Sequence, residues 1–237
     1  MADVKNIIVG AADMWISKTG LANRPATFTP VTATPSATTL GADTTNWRNM
    51  GYTTEGLELS YEPDYGEVAV DQLLDAARLF KQGLKVTLKT SLAEATLENM
   101  QVAFGQEDSV TTYSGSTQSV TSALTVSSAN STATLNISGG ALGTAPVERT
   151  LVAIGNAPSK LGSGQGTGGT DYIDAGSIKK KERVYIARRV VSMDTVSHGL
   201  KRGDATVFPV TFRCLPDDSD AYDGSEYGKI IDRVYGA

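Results

Sequence analysis

In three stretches between Leu57 and Lys89, apolar and polar residues change places at every second position. That rhythm admits only strands with one buried and one wet face. In the first, Leu57, Leu59 and Tyr61 share one face, and Glu58, Ser60 and Glu62 share the other. Pro63-Asp64-Tyr65-Gly66 then has turn chemistry, since proline pre-sets φ and glycine supplies φ > 0. The chain returns through Val68 and Val70, with Glu67, Ala69 and Asp71 on the opposite face. A third strand sets Leu84, Val86 and Leu88 against Lys85, Thr87 and Lys89. A sheet so divided needs a cover, and the following residues predict one. Ser91 is placed to cap a helix, Glu94 stands at capping-box distance, and Ala93, Leu97, Met100 and Phe104 recur at helical spacing. Gly105 fits the left-handed residue that ends such a helix.

The remainder reads as further strands separated by long polar connections within one domain over residues 1–237. Residues 4–18 predict a first strand with a Gly-Ala-Ala bend. Residues 19–50 form a Thr/Pro/Ala-rich loop, long enough to be functional, packed on a neighbour or poorly ordered, of which packing on a neighbour is the expectation. Trp47, near its end, is either an anchor between subunits or a side chain buried within its own subunit. Residues 109–138 are rich in Ser and Thr and predict a thin hairpin turning near Ala129-Asn130. A strand at 148–155 leads to a Gly-rich loop at 156–177. Gly164, Gly166 and Gly169 in that loop have the dinucleotide-fingerprint spacing, but no helix start follows, so a surface loop accounts for them better. Residues 181–194 alternate Val184, Ile186 and Val190 against Tyr185, Ala187, Arg189 and Val191. Residues 205–215 put Phe208, Val210, Phe212 and Cys214 on one side. Residues 216–237 form an arm that completes either its own sheet or a neighbour's.

Catalytic chemistry has little to work with. The single histidine, His198, falls in an expected turn, and the single cysteine, Cys214, falls on an apolar strand face. One of each cannot furnish a zinc site. No cofactor, metal or catalytic set is expected, and the chain reads as a non-enzyme. A net charge of −5 argues against binding nucleic acid by neutralising phosphates. No apolar run is long enough to span a membrane, and the opening MADVKNIIVG lacks the basic and apolar blocks of a secretory leader. With one cysteine, the expectation is assembly in a reducing cytoplasm without membrane insertion.

Five segments carry a resemblance. GYTTEGLELSYEP, VDQ and LAEATLEN follow one another between residues 51 and 99. NIIVGAADMWISK precedes them at 6–18, and GSEYGKIIDRVY closes the chain at 224–235. In that order they resemble the major tail tube protein of long-tailed bacteriophages, over roughly a third of the chain. The resemblance implies a mostly β fold: a β-sandwich or barrel subunit with one flanking α-helix. Six such subunits would form a ring with a continuous inner β-barrel. Stacked rings would enclose the tape measure protein, meet tail terminator and distal tail proteins at their ends, and later pass viral DNA. The location implied is the virion tail, reached from the host cytoplasm.

On that reading Glu58, Glu62, Glu67 and Asp71 are candidates for an acidic lumen lining, complicated by Lys85 and Lys89. Trp47, Leu57, Leu59, Tyr61, Val68 and Val70 are candidates for packing between subunits. Two alternatives share the alternating strands and the lack of catalytic residues. One is a Ser/Thr-rich β-sandwich binding module, such as an adhesin or carbohydrate-binding domain. The other is the tube subunit of a contractile or type VI secretion system.

Overall fold

Leu151-Val152-Ala153-Ile154 offers no polar position to turn toward water, so its strand belongs where both faces are covered. That is its place in the computed structural model. The structure describes residues 12–18, 46–69, 77–106, 109–114, 117–122, 124–127, 132–137, 145–158, 179–199, 205–218 and 223–236, with positions 10, 40–41, 43–44, 71, 142–143 and 202–203. Of the expected loops at 19–50 and 156–177, residues 19–39 and 159–177 lie outside them, as do the residues before Gly10.

The chain is mostly β. Eight strands make one sheet: β1 (Asp13–Ser17), β2 (Trp47–Asn49), β3 (Thr53–Val68), β4 (Arg78–Leu92), β9 (Arg149–Asn156), β10 (Lys179–Ser192), β11 (Phe208–Leu215) and β12 (Gly228–Gly236). Seven of them run in the order β2-β1-β9-β10-β11-β4-β3, all neighbours antiparallel, and β12 also pairs with β10. Residues 109–138, expected as one hairpin, hold two. β5 (Ser109–Ser114) pairs with β6 (Thr117–Ser122), and β7 (Leu124–Ser127) pairs with β8 (Thr132–Leu135).

One apolar cluster joins strands that are far apart in the sheet. Met14 and Ile16 of β1, Leu88 and Leu92 of β4, and Phe208 and Phe212 of β11 belong to it, so the sheet curls around its own inner face. A second cluster, Val152 and Ile154 of β9 with Val184 and Ile186 of β10, packs under Leu40 and Trp47 on the outer face. The predicted alternation in β10 holds only to Ala187. A register shift between Ala187 and Val190 then brings Val190 onto the inner face beside Ala187. Both β11 and β12 lie along one edge of β10, β12 against Lys179–Ala187 and β11 against Arg189–Ser192. The arm therefore completes its own sheet. Gly228 is required at its start, because a Cβ there would run into the Ile186 carbonyl. Arg183 clamps the pair through a bidentate bond to Asp232, at 2.6 and 2.7 Å.

The helix is shorter than expected and starts later. Ser91 and Leu92 still belong to β4, paired with Pro209 and Phe208, so Ser91 caps nothing; its hydroxyl donates to Glu55 at 2.9 Å. Glu94 accepts from the Tyr52 amide instead of closing a capping box. The helix α1 (Leu97–Ala103) is capped by Thr96, whose hydroxyl accepts from the Asn99 amide at 3.2 Å. Gly105 ends it as expected, at φ +63°, with Gly105 and Gln106 amides returning to the Val102 and Gln101 carbonyls. Val102 and Ala103 enter the main cluster with Met100 packed against it, while Leu97 and Phe104 stay partly exposed. Thr96→Ala should lower stability by about 1 kcal/mol in urea denaturation.

Candidate assembly surface on the β3–β4 hairpin

The largest departure from the expected strands is at Pro63-Asp64-Tyr65-Gly66, which is no turn. β3 runs straight through it for 16 residues, and β4 answers over 15. The three expected strands are two. Proline is tolerated because β3 lies at the end of the sheet, where one row of backbone groups has no ladder to serve. Gly66 sits across from Phe80, and the ring and the Gln82 side chain occupy the space a Cβ would need.

Joining the strands changes the faces. Leu57, Leu59, Tyr61, Pro63 and Tyr65 stand across from Thr90, Leu88, Val86, Leu84 and Lys81, so one face is apolar for most of its length. A shift between Asp64 and Tyr65 leaves Gln82 as an extra residue in β4. Glu67 keeps the strand's alternation and falls on the apolar side, across from Leu79, whereas Val68 falls with Glu58 and Glu62. The expected grouping of Glu67 with the acids and Val68 with the apolar residues is thus reversed, because it depended on the turn. Asp71 is exposed in the connection beyond β3, and Val70 lies outside the described residues.

Much of this apolar face has nothing over it among the described residues. β11 pairs with β4 only from Val86 to Leu92, so residues 78–85 pair with β3 alone. Leu59 is 41% exposed and Tyr61 60%, with Tyr65 and Leu79 also exposed. Leu57 alone among the candidates on this face packs against the main cluster. Between the hairpin and β10/β12 runs an apolar groove of ≈ 370 Å³, lined by Leu59, Tyr61, Leu84, Val86, Tyr185 and Ile230 among others. Lys81 reaches across to Tyr61, its ammonium 5.6 Å from the ring centre and 3.3 Å from the hydroxyl oxygen. Beyond β3, no further strand pairs with its outer edge among the described residues. Trp47 is no part of this surface: it is 3% exposed and buried within its own chain.

The other face is wet and charged. Glu62 stands across from Lys85, carboxylate to ammonium 3.4 Å, and Glu58 stands across from Lys89. The Ser60 hydroxyl donates to Glu62 at 3.0 Å. That bond, then the Lys85 ammonium, holds the Glu62 carboxyl below its ordinary range. The sequence leaves open whether the lysines join the acids, because their register depends on the length of β3.

Among the described residues, the other groups singled out by the sequence stand apart from one another. Burial pushes the Cys214 thiol up to about 11, which leaves it a packed hydrophobe at neutral pH. His198 is exposed and leans on Phe208, ring centres 4.8 Å apart. Arg189 and Glu148 form a bidentate pair, and Arg188 bonds the Ser225 carbonyl, so both arginines serve the fold. Among the described residues no three His, Cys, Asp or Glu side chains gather as a metal site, and no helix is long and apolar enough to cross a membrane. No family model and no curated protein matches the chain.

Proposed function

We propose that the chain is the structural, non-enzymatic subunit of a bacteriophage tail tube, six copies to a ring, the rings stacked into a conduit for the tape measure protein and then for viral DNA. The observation that carries this reading is the hairpin: an exposed apolar face beside a 16-residue strand whose outer edge pairs with no strand among the described residues. Such an edge can template pairing with another chain. The tail-tube-like segments converge on this region, GYTTEG at the entry to β3 and LAEATLEN across the end of β4 and the start of α1.

Charge favours a ring over a two-fold dimer. β3 carries Glu55, Glu58, Glu62, Asp64 and Glu67 and no cation. Two copies of this strand laid edge to edge would set carboxylates near carboxylates, which is unfavourable. Pairing with a different edge avoids that conflict, and head-to-tail contacts close into rings when their rotation divides a full turn. Negative-stain electron microscopy of the concentrated protein tests the reading. Hollow rings or tubes support it. Dispersed monomers that bind glycans favour the binding module.

A further inference from the structure

The sequence makes the wet face of the hairpin acidic; the register makes it balanced. Three rows of charge lie side by side: Glu58 and Glu62 on β3, Lys89 and Lys85 across from them on β4, and Arg213 on β11 across from Thr87, between the two lysines. Glu62, Lys85, Lys89 and Arg213, with Asp194 beyond them, line a polar cleft of ≈ 200 Å³. Glu58, Glu62, Lys85, Lys89 and Arg213 are all exposed. Exposed ion pairs contribute only ~0–1 kcal/mol each, so stability is a poor reason to gather three cations here.

We propose that this face is a masked polyanion surface: Lys85, Lys89 and Arg213 form a phosphate-binding row that Glu58 and Glu62, with Asp194 in the same cleft, hold neutral, so that nucleic acid passes over it without being retained. That nucleic acid passes at all rests on the tail-tube reading; the masking does not. A phosphate gains affinity by releasing counterions when it meets an unpaired cation. Here each lysine already faces a carboxylate at cross-strand distance, about 5 Å between Cβ atoms and inside the ~8 Å over which salt screens charge. A phosphate that reached the lysine would meet the carboxylate as well. An acidic face would repel the polyanion, and a basic one would hold it. A balanced face does neither.

Removing the mask tests this. Glu58→Gln with Glu62→Gln is compared with Asp71→Asn with Asp223→Asn, which raises the net charge of −5 by the same two units at exposed positions away from this face. The probe is a fluorescent duplex DNA oligonucleotide followed by anisotropy. The unmasked variant should bind at low salt, with affinity falling about tenfold between about 50 and about 200 mM salt if two phosphates are held. Wild type and the control should not bind, and adding Lys85→Gln and Lys89→Gln should abolish the gain. Glu58→Lys with Lys89→Glu keeps the balance and should stay silent. No binding by the unmasked variant, with its thermal unfolding retained, overturns the proposal. So does equal binding by the control. If wild type never forms tubes, the tube reading fails separately, and anisotropy still decides whether the face is masked.

Discussion

Leu59→Asp should give a subunit that folds but forms no tubes. In the single chain Leu59 is 41% exposed, on the rim of the groove between the hairpin and β10/β12. A carboxylate there remains in water, and partly exposed positions of this kind cost the monomer little, on the order of 1 kcal/mol. In a ring the same position is to be covered by the next copy. Burying an ionised carboxylate without a partner costs several kcal/mol, repeated at every contact around the ring. The checks are a thermal melt by circular dichroism, which should stay near wild type, and electron microscopy, which should show no rings. Full-length tubes from this variant would mean that the apolar face of β3 does not lie at the interface.

Phe208→Ala should act in the opposite way, damaging the subunit itself. Phe208 is 0% exposed, lies across from Leu92 in the β4–β11 ladder, and belongs to the main cluster with Met14 and Phe212. Its loss leaves a cavity in the main cluster, to which β1, β4, β9, β10, β11 and α1 all contribute, and truncations of this kind cost about 3–5 kcal/mol. Set against a total stability of roughly 5–15 kcal/mol for a domain, that is a large share. The urea midpoint should fall with an unchanged slope, and Phe208→Leu should recover most of the loss. Read together, the two variants separate a residue that holds the subunit from one that holds the assembly.

The alternation that revealed the hairpin faces was legible because it is a property of neighbours along the chain. Leu57, Leu59 and Tyr61, and likewise Leu84, Val86 and Leu88, lie on one face as their spacing requires. What was not legible depended on partners distant in sequence. Pro63-Gly66 has turn chemistry locally, but fifteen residues of β4 hold it extended, and Phe80 fills the gap that Gly66 leaves. Once that turn is gone, Glu67 and Val68 exchange faces. Ser91 has the chemistry of a cap, yet pairing with Pro209 keeps it in β4 and passes the role to Thr96. The bulge after Ala187 lies where β12 gives way to β11 along the other edge of β10, which alternation alone does not encode. Trp47 could equally have served a neighbour until the second cluster placed it under β9 and β10. The pairing of Glu62 with Lys85 waited on the same register.

A density map of the assembled particle, at a resolution that traces strands, is the decisive test of β3 as the joining edge. The outer edge of β3 is expected to be hydrogen-bonded to a neighbouring copy, with Leu59 and Tyr61 covered and the row of Glu58, Glu62, Lys85 and Lys89 facing the bore. An assembly in which β3 keeps its outer edge in water, or a particle that remains a single chain with Tyr61 exposed, would contradict it.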